Sequence, residues 1–109
     1  MSDLTRLRSA NIARQREWDE GNTLTLTYWG NALAGEVGEA CNVIKKIERE
    51  RLKLKGSRAT VSDLADELAD AVIYIDLLCM SEGIDLREAI RRKFNATSAK
   101  YGFKTRFPE

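Results

Sequence analysis

The chain has 109 residues, enough for one domain with a modest buried fraction and room for further copies to add core. Its 18 basic residues exceed its 17 acidic ones by one, so no basic field draws it to long nucleic acid. It also contains no histidine, which removes the commonest general base and the usual zinc and iron ligand and leaves oxygen ligands, and with them Mg²⁺ or Mn²⁺, as the basis for any metal site.

A single proline, Pro108, and apolar residues at helical spacing predict an all-α chain of four helices spanning residues 1–109 as one domain. The first helix is expected from about Asp3 to Asp19, capped by Ser2 or Asp3, with Leu4, Leu7 and Trp18 as its apolar contribution and a stop at Gly21-Asn22. Thr23 to Thr27 alternates like a strand, yet it leads into a long helical pattern of Trp29, Leu33, Val37, Ala40, Val43, Ile44 and Ile47. The second helix is therefore expected from about Thr25 to Arg51. Arg49, Arg51, Lys53, Lys55 and Arg58 then gather around Gly56 as an exposed helix end and loop. Ser62 is the expected cap of the third helix, about Val61 to Glu82, without a full capping box because Ala65 follows at the third position. After Ala71 this helix is apolar almost all round, the pattern of a helix at the centre of a bundle. Gly83 ends it, Asp85 with Glu88 forms a capping box, and the fourth helix runs through Lys93 to about Lys100 before Gly102 and the tail Phe103 to Glu109.

The longest apolar run, Ala71 to Met80, is broken by Asp76 and is about half the length of a membrane span, so no membrane partner is expected. Cys41 and Cys79 lack the short spacings of zinc or redox motifs, and the N-terminus carries no signal-peptide pattern. Both cysteines read as reduced core residues of a cytoplasmic protein.

Two octets share one pattern: Leu33-Ala34-Gly35-Glu36-Val37-Gly38-Glu39-Ala40 and Leu64-Ala65-Asp66-Glu67-Leu68-Ala69-Asp70-Ala71. Residues three apart lie together on a helix face, so Glu36 with Glu39, and Glu67 with Asp70, each aim two carboxylates the same way. Glu36 falls within the stripe of Trp29, Leu33, Ala40, Val43 and Ile47, while Glu67, Asp70 and Tyr74 share a line flanked by Leu77 and Leu78. Most carboxylates on charge-rich helices are solvated and paired with lysine or arginine. Here neither octet holds a basic residue, and like charges buried together raise one another's pKa unless a cation sits between them. An antiparallel hairpin of the second and third helices can set the pairs opposite each other, with the loop absorbing a stagger of about one turn, on the order of 5 Å. The four acids are thus candidate metal ligands.

Glu-x-x-Glu on one helix and Glu-x-x-Asp on the next resemble the hallmark of the all-α, MazG-like nucleoside triphosphate pyrophosphohydrolases. The likeness runs from about Trp18 to Tyr101 and includes Gly-Glu-Val-Gly-Glu-Ala, Glu-Leu-Ala-Asp-Ala-Val-Ile-Tyr and Gly-Ile-Asp-Leu before the fourth helix. It is similar to the short single-domain members carried on integron gene cassettes. The resemblance implies that Glu36, Glu39, Glu67 and Asp70 hold Mg²⁺, that the substrate is a nucleoside or deoxynucleoside triphosphate, and that the products are the monophosphate and pyrophosphate. It further implies phosphate contact by Lys93, a sugar or phosphate wall at Tyr74, and base stacking by Trp18, with Trp29 as the core alternative. Many relatives carry Asn four residues after the lysine. Thr97 stands there in this chain, and Asn95, on another side of the helix, is the candidate polar contact.

Among these acids Glu39, at the edge of its stripe, is the candidate to take the proton of the attacking water. Lys45 and Lys46 occupy the region where some relatives select the base, which leaves base preference open. The Lys53–Arg58 loop reads as solvated, with reach to phosphates on a neighbouring subunit as the alternative. Assembly into helical bundles as a homodimer or tetramer is expected. The competing reading is a non-enzymatic helical interaction module that keeps the fold, pairing with itself or another helical protein.

Overall fold

Short polar side chains cap the starts of three of the four helices; the second opens at Thr25 with no side-chain cap bond. In the computed structural model, which describes residues 1–109, the chain forms α1 (Asp3–Trp18), α2 (Leu26–Arg51), α3 (Val61–Ser81) and α4 (Leu86–Lys100), with no strand. Ser2 Oγ accepts from Thr5 N at 3.2 Å to open α1. The α3 cap is Thr60, two residues before the expected Ser62. Its Oγ1 accepts from Asp63 N at 3.1 Å while Asp63 Oδ2 accepts from Thr60 N at 2.8 Å, a reciprocal box in which aspartate does the work usually given to glutamate. At α4 only half of the expected box is present. Asp85 accepts from Glu88 N at 3.1 Å, but Arg91 takes the Glu88 carboxylate with two hydrogen bonds of 3.0 and 2.6 Å. Gly83 and Gly102 follow α3 and α4 at φ 67° and 72°, a left-handed conformation that costs glycine little.

The alternating Thr23–Thr27 segment does not pair as a strand. Asp19 accepts from Thr23 N, Thr23 Oγ1, Leu24 N and Gln15 Nε2 at 2.8–3.1 Å, folding the chain between α1 and α2 around one buried carboxylate. Hydrogen bonds from Thr23, and then from Leu24, hold that carboxyl below the usual range against the opposing effect of burial.

α2 and α3 pack as a long antiparallel pair, and their buried apolar residues are Trp29, Ala40 and Ile47 from α2 and Ala71, Leu77 and Cys79 from α3. Counted from Glu36 to the end of α2 and from the start of α3 to Glu67, α2 overhangs α3 by about 13 Å, more than the single turn expected. The residues between the helices run back beside the last turns of α2 to close this distance. α1 lies on α3, and α4 touches α1. α3 therefore has neighbours on two sides only, and Leu68 and Val72 stay 48% and 45% exposed. Cys79 is buried as expected; Cys41 is exposed, because it lies on the side of α2 turned away from α3.

The residues of α1 that bury fully are polar, Asn11 and Gln15, whereas Leu4 and Leu7 are half-buried and Trp18 is 49% exposed. The reason is Asp76, the acid that interrupts the apolar run of α3. It is 1% exposed and accepts from Arg8 Nε at 3.1 Å and Asn11 Nδ2 at 2.9 Å. Arg8 also donates through Nη2 to Ile84 O at 2.7 Å, so one guanidinium joins α1 to α3 and to the α3–α4 turn. Beyond α4 the tail folds back: Phe107 N donates to Asn95 Oδ1 at 2.7 Å and its ring meets Phe94 edge-on at 5.8 Å. No helix is long and apolar enough to cross a membrane.

Replacing Asp76 by alanine leaves Arg8 and Asn11 without their partner in a dry contact. Chemical denaturation should report a loss of about 3 kcal/mol or more, and an Asp76→Ala protein within 1 kcal/mol of the parent, on the order of a surface change, would contradict this role.

Candidate functional site

The overhang of α2 brings the two octets level. One carboxylate oxygen from each of Glu36, Glu67 and Asp70 lies within 4.8 Å of the others. Glu36 and Glu67 are half-buried and Asp70 is exposed, so the group opens to solvent on the Asp70 side. Glu39, the fourth acid, is exposed and lies outside this trio, though close enough to act on both half-buried glutamates.

The two glutamates are poorly satisfied by the protein. Oε2 of Glu36 and Oε2 of Glu67 are both buried and have no hydrogen-bond partner. Burial pushes the Glu36 carboxyl above the ordinary range, with the charges of Glu39 and Asp70 adding to it. Glu67 is raised by burial first, then by Glu39, Glu36 and Asp70. No arginine or lysine forms a salt bridge with any of the four acids; the three salt bridges of the chain join Arg6–Asp3, Arg8–Asp76 and Arg91–Glu88. Two buried, unpartnered glutamate oxygens converging with the exposed Asp70 carboxylate fit a hard divalent cation, which Mg²⁺ and Mn²⁺ are and which needs no nitrogen or sulfur donor.

Beside the trio lies a cleft of about 470 Å³ between α1 and α3. Arg14, Glu17 and Trp18 line it from α1, and Asp70, Ile73, Tyr74 and Leu77 from α3, so Asp70 belongs to both cleft and trio. An aromatic cluster stands behind it. Trp29, 1% exposed, lies 5.9 Å from Trp18, 5.3 Å from Tyr28 and 6.2 Å from Tyr74 between ring centres. Burial raises the Tyr74 hydroxyl pKa, helped by Glu36, Tyr28 and Asp70 and opposed by Arg14. That hydroxyl thus stays a neutral donor, within reach of the charges of both the carboxylates and the arginine.

Of the residues expected from sequence, the structure gathers Glu36, Glu67 and Asp70, with Glu39 at their rim and Tyr74 and Trp18 in the adjoining cleft. Trp29 is core. It does not bring Lys93 or Asn95 to the cleft. Both lie on α4, none of whose residues lines it; Lys93 is exposed, and Asn95 Oδ1 is occupied by the tail. Arg14, Glu17 and Tyr28 escaped the sequence reading. The signal for the first two was the spacing of Glu17 and Trp18 three and four residues after Arg14 on one helix face. Comparison of the chain with known protein families, with curated proteins and with solved structures finds no match.

Because the folded state raises the pKa of Glu36 and Glu67, it binds more protons than the unfolded chain between the ordinary glutamate range and those raised values. Stability of the metal-free protein should therefore fall as pH rises through that window. Melting curves against pH should show this decline in the parent and a flatter one in Glu36→Gln, which should be at least as stable as the parent without metal. Clear destabilisation of metal-free Glu36→Gln would contradict the site.

Proposed function

We propose that this protein hydrolyses a nucleoside or deoxynucleoside triphosphate to the monophosphate and pyrophosphate, with Mg²⁺ held by Glu36, Glu67 and Asp70 and with Glu39 at the rim. The observation that carries this reading is the pair of buried, unpartnered glutamate oxygens converging with Asp70 at the mouth of an aromatic cleft. The resemblance to MazG-like pyrophosphohydrolases agrees with it.

Mg²⁺, or Mn²⁺ in its place, supplies polarisation of phosphoryl oxygens and neutralisation of charge on the leaving pyrophosphate. The chain's own groups have separate tasks. Trp18, half-exposed at the cleft edge, offers a stacking face to the base, backed by Trp29. The neutral Tyr74 hydroxyl donates a hydrogen bond to sugar or phosphate oxygen. Glu39 is exposed and the least committed of the four acids, so it takes a proton from the attacking water and releases it to solvent. No histidine or nucleophilic side chain is needed.

The working form would be a dimer or tetramer. The radius of gyration is 17.2 Å, against roughly 13 Å for a compact domain of this length. Only 11 of 109 residues are buried, too few for a finished core. Val37 and Ile44 on α2, and Leu68 and Val72 on α3, are nearly half exposed at spacings that form apolar stripes along both helices. A second copy laid against these stripes would complete a four-helix bundle.

Pyrophosphate release from the eight common ribo- and deoxyribonucleoside triphosphates, with Mg²⁺ and with EDTA, tests the activity. The parent should release it only with Mg²⁺, and Glu67→Gln should lose about 10²-fold or more. No release from any substrate would favour the interaction module. Sedimentation velocity should find at least a dimer that Leu68→Glu dissociates, and a monomeric parent would remove the bundle from the proposal.

A further inference from the structure

Three charged residues line the cleft between α1 and α3, and Arg14 is the only positive one; Glu17 and Asp70 are the others. Arg14 lies one turn before Trp18 on α1, so both reach the face turned toward α3. It forms no salt bridge and no side-chain hydrogen bond, although two carboxylates share its cleft. Its charge nevertheless reaches the Tyr74 hydroxyl, where it opposes part of the rise that burial, Glu36, Tyr28 and Asp70 produce. A guanidinium in this position keeps all five of its donors free.

Charge balance says what such a group would bind. Three carboxylates beside one divalent cation still carry net negative charge, and a polyphosphate brought to them adds more. The cleft must supply a cation of its own, and its lining contains one. A planar guanidinium matches phosphate oxygens with two parallel hydrogen bonds, which a lysine ammonium cannot do. Lys93, to which the family resemblance assigns phosphate contact, is exposed on α4 and outside the cleft.

We propose that Arg14 is the phosphate anchor of this site: it grips the polyphosphate chain of the substrate from α1 while the carboxylate trio on α2 and α3 holds the metal on the other side. This rests on the pyrophosphohydrolase reading and adds to it a residue that acts in binding and takes no part in moving the proton.

The test uses magnesium tripolyphosphate, which has phosphates but no base or sugar, titrated into the parent, Arg14→Ala and Arg14→Lys. Binding is read by calorimetry and by tryptophan fluorescence, with Mg²⁺ alone as the control. Arg14→Ala should bind tripolyphosphate about tenfold or more weakly, bind Mg²⁺ alone as the parent does, and raise KM for triphosphates with a much smaller change in kcat. Arg14→Lys should recover part of the loss and show a steeper salt dependence. Equal tripolyphosphate binding by the parent and Arg14→Ala would overturn the anchor, as would an equal loss of Mg²⁺ binding, which would mark a disturbed trio. A parent that binds tripolyphosphate through Arg14 yet releases no pyrophosphate from any nucleotide would sustain the anchor and sink the proposed reaction.

Discussion

A single buried carboxylate, Asp76, fixes the geometry on which the candidate site depends. By accepting from Arg8 and Asn11 it lays α1 along α3, and only with α1 there do Arg14, Glu17 and Trp18 face Asp70 and Tyr74. The same residue shows how this chain treats a buried acid whose role is structural: it supplies an arginine and an amide at hydrogen-bond distance, and desolvation is offset. Glu36 and Glu67 receive no such treatment. Their buried oxygens are left unpartnered beside two further acids. Set against Asp76 in the same fold, this marks them as groups arranged for something other than packing.

The hairpin explains why the two acid pairs can meet. Antiparallel packing with a long α2 overhang puts positions of different distance from the turn at the same level. Oε2 of Glu36 and Oε2 of Glu67 are shut off from solvent while Asp70 keeps one side wet. Access from solvent and shelter from it are thus divided between the members of one trio.

Much of this was legible in the sequence, because helical periodicity records apolar faces directly. The two octets, the helix extents to within a few residues, and the inward placement of Glu36 and Glu67 all follow from spacing, whereas Asp70, expected inward on the same line as Glu67, is exposed. Periodicity is silent where polar residues form the contact. Asn11 and Gln15 carry no apolar signature, yet they are the buried face of α1, and Asp76 reads in sequence as a flaw in an apolar run. Asp19 looks like a helix end, while its four hydrogen bonds, which depend on a particular loop path, make it the centre of the α1–α2 joint. The α3 cap lies two residues before Ser62 because Thr60 and Asp63 form a box that the Ser62 pattern hides. Arg14 stood one turn from Trp18 throughout, but only the docking of α1 shows that both belong to one cleft.

The polar attachment of α1 has a dynamic consequence. Apolar faces slide and repack with gradual loss, whereas hydrogen bonds inside a dry contact tolerate little displacement before they break. α1 is held by such bonds at two places, Arg8 to Asp76 and to Ile84 O, and Asn11 to Asp76. It therefore detaches as a unit or stays docked, forming one cooperative opening of the kind that amide exchange resolves. Since α1 is one wall of the cleft, the cleft itself has two states, formed and absent, and a ligand spanning both walls would weight the first.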